Sequence, residues 1–76
     1  MLKDLEISIL REDEKILDLE EEKDVDEYRN KFIAEFESSA IGKVLLQLGY
    51  ELVDTDFDDM TLRITYRKEK YNGKGI

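Results

Sequence analysis

The segment Met60-Thr61-Leu62-Arg63-Ile64-Thr65-Tyr66-Arg67 alternates without a break between apolar and polar residues. A period of two is the geometry of a strand with one face buried and the other in water. Met60, Leu62, Ile64 and Tyr66 share the apolar face, and Thr61, Arg63, Thr65 and Arg67 the polar one. Such a strand needs neighbours for its backbone hydrogen bonds and a second layer over its apolar face. The chain has 76 residues in which to supply both, room for one domain with an economical core.

The cover is legible upstream. Val25, Tyr28, Phe32 and Phe36 recur at spacings of three and four, with Ile33 widening the stripe, which predicts an amphipathic helix. Asp24-Val25-Asp26-Glu27 offers a capping box in which Asp24 accepts from first-turn amides and Glu27 reaches back. The pattern runs on through Ala40, Ile41, Val44, Leu45 and Leu48 to a stop at Gly49. An unbroken helix of that length would measure about 36 Å and overhang any strand here. Ser38, Ser39 and Gly42 are its weak points, so a bend or short break is expected between Ser38 and Gly42. A continuous helix would instead pack its overhang on another subunit.

At the start, Leu5, Ile7 and Ile9 alternate with Glu6 and Ser8, and Ile16-Leu17-Asp18-Leu19-Glu20 puts Leu17 and Leu19 on one side. These runs read as an antiparallel hairpin, although the connection lacks the usual turn residues. Tyr50 to Thr55 reads as a third strand and Asp56-Phe57-Asp58-Asp59 as a polar turn. The expected fold is therefore α+β: a small two-layer β-β-α-β-β domain whose antiparallel sheet is covered by one long or bent helix. Residues 1–70 form the domain and residues 71–76 a flexible C-terminal tail. The expected core comprises Leu5, Ile7, Ile9, Leu17, Leu19, Tyr28, Phe32, Phe36, Val44, Leu45, Leu48, Leu52, Leu62 and Ile64, with an exposed strand edge or helix end that a homodimer would cover.

Composition narrows the chemistry. With neither cysteine nor histidine, disulfides, thiolate nucleophiles and zinc sites of the usual ligands are excluded, as is the side chain best suited to proton transfer near neutrality. Carboxylates alone need a fixed pair around a cleft, and no second feature marks one, so no enzymatic activity and no cofactor are expected. Asp54, Asp56 and Asp58 superficially resemble a calcium loop, but Asp59 stands where the turn glycine belongs and Thr65 where the bidentate glutamate belongs, so no metal site is expected. No apolar run suggests a leader or a membrane span, which makes the cytoplasm the default location.

The charge is polarised. Of a net −8, residues 1–27 carry −8, residues 28–59 carry −4 and residues 60–76 carry +4. The leading expectation is a small acidic protein-interaction module, an inhibitor or modulator of a basic or nucleic-acid-binding protein. Glu12, Asp13, Glu14, Glu20, Glu21, Glu22, Asp24, Asp26 and Glu27 would face that partner, with carboxylates standing where phosphates would otherwise lie. Exposed ion pairs contribute little alone, so an apolar anchor is needed, and Phe57, protruding from an acidic turn, is the candidate. The competing reading of the same acids is a solubilising face with no recognition role. Two alternatives stand beside this reading. One is a weak nucleic-acid binder using Arg63, Arg67, Lys68 and Lys70. The other is a structural, self-associating subunit.

Overall fold

The computed structural model describes residues 5–68. In order it contains strand β1 (Leu5–Glu12), a 3-10 helix (Glu14–Asp18), helix α1 (Glu22–Ser38), helix α2 (Ala40–Gln47), and strands β2 (Glu51–Asp58) and β3 (Thr61–Lys68). The three strands form one antiparallel sheet in the order β1-β3-β2, so the strand with the cleanest alternation is the central one. The expected α+β class holds. The β-β-α-β-β order does not, because a single strand precedes the helices and both remaining strands follow them. The proposed tail from residue 71 onward lies outside the described residues.

The second expected strand is replaced by the 3-10 helix. Asp13 caps it, its carboxylate accepting from the Lys15 amide at 3.0 Å, and the Asp13 amide donates to the Met60 carbonyl at 2.9 Å. This ties the end of β1 to the β2–β3 turn and leaves no length for a hairpin return. The inward residue changes as a result: Ile16 is 6% exposed, whereas Leu17, expected inside, is 62% exposed.

Strand pairing divides the sheet into two faces. Ile7 lies opposite Tyr66, Ile9 opposite Ile64 and Arg11 opposite Leu62. Across β3, Leu52 lies opposite Tyr66, Thr55 opposite Ile64 and Phe57 opposite Leu62. This face meets α1. Leu62, Ile64 and Tyr66 are fully buried and cluster with Phe32 and Ile16, with Ile9, Leu19, Tyr28, Ile33, Phe36, Tyr50 and Phe57 packed around them. Burial of each large aliphatic side chain contributes about 1.5 to 3 kcal/mol, so a few positions carry this small core. A register shift between Leu52 and Asp54 inserts Val53 as a bulge.

Helix α1 begins three residues earlier than the capping-box pattern implied. Its N-cap is Glu21, which makes no side-chain capping bond, while the Glu21 carbonyl accepts from the Asp24 and Val25 amides at 3.0 and 3.1 Å. Asp24 therefore sits inside the first turn, where with Glu22 it complements the positive helix end. The expected break occurs at Ser39. Its hydroxyl donates to the Phe36 carbonyl at 2.6 Å and accepts from the Gly42 amide at 3.1 Å, so one side chain closes α1 and caps α2. Gly49, at φ +99°, ends α2 as anticipated. The Tyr50 amide bonds the Leu45 carbonyl and the Gly49 amide bonds that of Leu46, the double closure of a Schellman motif.

Because α2 turns away at Ser39, several expected core residues remain outside: Val44, Leu48, Leu5 and Leu52 are exposed, while Leu45 is buried. The molecule is elongated, 48 × 25 × 19 Å, with a radius of gyration of 14.5 Å, against about 11 Å for a compact domain of this size. No helix among the described residues is long and apolar enough to cross a membrane.

Candidate functional site

The 3-10 helix, the start of α1 and the β2–β3 turn meet at one end of the molecule. There Ile16, Leu19, Val25, Phe57 and Asp59 line a shallow cleft of about 190 Å³. Along the chain these apolar positions are interleaved with acids: Asp18 and Glu20 flank Leu19, Asp24 and Asp26 flank Val25, and Asp58 follows Phe57. The arrangement is an apolar floor within a carboxylate rim. Glu12, Glu14, Glu20, Glu21, Glu22 and Glu27 are exposed, and Asp24 is half-buried.

Three expected contact residues have internal duties. Asp26 pairs with Arg29 one turn along α1. Asp13 caps the 3-10 helix and accepts from the Tyr28 hydroxyl at 2.8 Å; the Lys15 amide, then this phenol, hold its carboxyl below the usual aspartate range. Phe57, expected to protrude, is half-buried against the core and tilted on Tyr28 with ring centroids 6.5 Å apart. Its place opposite Leu62 points it to the helix side of the sheet. Phe57 is thus a wall of the cleft.

Arg11 and Tyr28 brace this end. The Arg11 guanidinium sits 4.5 Å from the centroid of the Phe32 ring and donates to Glu35 at 2.8 Å, clasping β1 to α1 by cation–π and ionic contact. Partial burial, then the bond to Asp13, raises the Tyr28 phenol above its ordinary value. Sequence spacing gives no hint of this clasp, since Arg11 and Glu35 are far apart in the chain.

The opposite face of the sheet carries the basic strand. Arg63 pairs with Asp56 of β2 at 3.2 Å, and Arg67 with Glu6 of β1 at 2.9 Å. Ser8 and Thr65 share a hydroxyl hydrogen bond of 3.1 Å between them. Together with Val53 and Asp54, residues Glu6, Ser8, Arg63, Thr65 and Arg67 line an open hollow of about 420 Å³. Each arginine therefore faces a carboxylate from a flanking strand. Lys68 ends β3 half-buried, and Lys70 lies outside the described residues.

Comparison with family models, curated proteins and solved structures finds no match for this chain. Asp54 lies in β2 as expected; Asp56 and Asp58, expected in a polar turn, also belong to β2, and only Asp59 and Met60 make the turn. No group of three or more carboxylates arranged to hold a metal ion occurs among the described residues.

Proposed function

We propose that this chain is a non-catalytic protein-interaction module whose acidic end receives a basic protein surface and takes one apolar side chain of that partner into the cleft between Ile16, Leu19, Val25 and Phe57. The observation that carries the reading is the coincidence of that cleft with the densest acid in the chain. Carboxylates steer and orient a basic partner, and the apolar floor supplies the desolvated contact that exposed ion pairs lack. Covering a partner's basic surface would compete with nucleic acid for it, so the module acts as an inhibitor or modulator.

Direct nucleic-acid binding through Arg63, Arg67 and Lys68 is less favoured, because any phosphate must displace Asp56 and Glu6 from the two arginines. A heteronuclear NMR titration separates the two readings. A lysine- and arginine-rich peptide bearing one leucine should shift the amides of Leu19, Val25 and Phe57, and its alanine counterpart should bind more weakly. Shifts confined to β1 and β3, or stronger binding of a single-stranded oligonucleotide, would refute the proposal.

A further inference from the structure

Strand β2 has β3 on one side and no strand on the other among the described residues. Outside its ladder with β3, no backbone hydrogen bond joins residues 51–58 to another described residue. The amides and carbonyls on that outer side form a row with which an added strand can pair. An open hollow of about 350 Å³ runs beside it, lined by Leu52, Val53, Asp54 and Thr55. Val53 is the bulge, so the regular stretch open to a partner runs from Asp54 to Asp58.

The side chains of this edge specify what fits it. Asp54, Asp56 and Asp58 lie opposite Thr65, Arg63 and Thr61 on the sheet face away from the helices, and all three are exposed. Arg63 holds Asp56, whereas Asp54 and Asp58 make no ion pair among the described residues. Thr55 and Phe57 alternate with them on the helix side and are half-buried. A strand laid against β2 sets its own side chains about 5 Å from those on the same face. It therefore needs Lys or Arg at alternate positions, facing the aspartates, with apolar or β-branched residues between them beside Thr55 and Phe57. A second copy does not meet that need, because β2 against β2 sets one aspartate row on another, and like charges directly opposite destabilise a pair of strands. Nucleic acid fails for the same reason, since its phosphates would meet the carboxylates. The β1 edge lacks such a row: Glu6 is tied to Arg67 and Arg11 to Glu35, with Ser8 and Leu10 between. Charges and bulges are how sheets bar unwanted pairing; the guards of β2 share one sign, so they turn away an acidic strand and admit a cationic one.

We infer that β2 is a strand-addition site for an extended basic segment of another protein, in which Lys or Arg alternates with apolar residues along the positions facing Asp54 to Asp58. Main-chain bonds to the open edge hold the segment, and the aspartates select its sequence. The site is separate from the acidic cleft, although Phe57 borders both, and it does not rest on the function proposed above.

The probe is a peptide that alternates lysine and valine over about nine residues, the length of an ordinary strand. Its control has the same composition with the lysines grouped at one end, which keeps the net charge and removes the alternation. In heteronuclear NMR of the full chain, the alternating peptide should shift the amides of Asp54, Thr55 and Asp56 and slow their hydrogen exchange, leaving those of Ile7 to Ile9 in place. The grouped peptide should bind at least about fivefold more weakly, and Asp54→Asn combined with Asp58→Asn should weaken the alternating one by about threefold to tenfold with unchanged circular dichroism. Equal binding of the two peptides would reveal charge attraction without strand pairing and overturn the inference. Shifts at Leu19 and Val25 with none at Asp54 and Asp56 would overturn it too, while leaving the acidic cleft as a binding site. Shifts at Asp54 and Asp56 with none at Leu19 and Val25 would support it and count against the cleft. Concentration-dependent shifts of β2 without peptide would assign the edge to a second copy and overturn the inference.

Discussion

A Cβ atom added to Gly42 would stand 1.8 Å from the carbonyl oxygen of Phe36, so the first turn of α2 lies directly against the last turn of α1. Helix propensity alone favours alanine over glycine by about 1 kcal/mol. The contact reverses that sign, because the obstruction is backbone. Gly42→Ala should destabilise the fold by about 2 kcal/mol in urea unfolding, within the range of overpacked sites. A stabilised Gly42→Ala variant would mean that α2 is placed differently.

Replacement of the expected second strand by a 3-10 helix makes neighbouring residues unequal. Ile16→Ala should cost about 2 to 4 kcal/mol as a cavity in the core, and Leu17→Ala less than about 0.5 kcal/mol as a surface change. Equal costs, or a larger one at Leu17, would restore the hairpin reading. Chemical denaturation of the two variants decides it.

Much of this architecture is written locally. The alternation of Met60 to Arg67, the stripe from Val25 to Phe36, the break near Ser39 and the stop at Gly49 each follow from a few adjacent residues, and all four recur in the structure. Ile16 to Glu20 could not be read this way. Two alternating leucines fit a strand as well as a helical turn, and the deciding bonds come from Met60 and Tyr28, far along the chain. The same holds for the site. Its acids are visible as a run, but the cleft is assembled from Ile16, Leu19, Val25 and Phe57, which only the fold brings together. Phe57 reads as protruding from a turn because nothing adjacent in the sequence marks the strand boundary that sets which way it faces.

Alkaline pH should expose the role of Tyr66. Its ring is fully buried and its hydroxyl donates to Glu37 at 2.7 Å; burial, then this carboxylate, push the phenol well above the ordinary tyrosine value. A raised native pKa stabilises the fold fully below about pH 10, the value in the unfolded chain, and that stability is lost as pH rises toward the native value. Wild-type stability should decline above about pH 10, more steeply than in Tyr66→Phe. At neutral pH Tyr66→Phe should cost about 1 to 2 kcal/mol for the lost bond to a charged acceptor. Parallel alkaline profiles would contradict the assignment.

The β2–β3 turn stores a small strain. Asp59 has φ +54°, a left-handed conformation that glycine adopts without a steric penalty and aspartate only tolerates. Asp59→Gly should raise stability by up to about 1 kcal/mol, measured by urea unfolding, and Asp59→Val should lower it. No difference between the two would show that the turn relaxes.

The central claim is that the acidic end captures a basic protein. Its most direct test is affinity capture by the intact chain from nuclease-treated extract of its own source cells, alongside two variants of reversed purpose. One replaces Glu20, Glu21, Glu22 and Asp24 by their amides, and the other changes Arg63 and Arg67 to Glu. The account predicts that a basic protein is retained by the wild type and by the arginine variant, is released by salt, and is lost with the amide variant. Retention that survives the amide changes, or that disappears with Arg63 and Arg67, would contradict it.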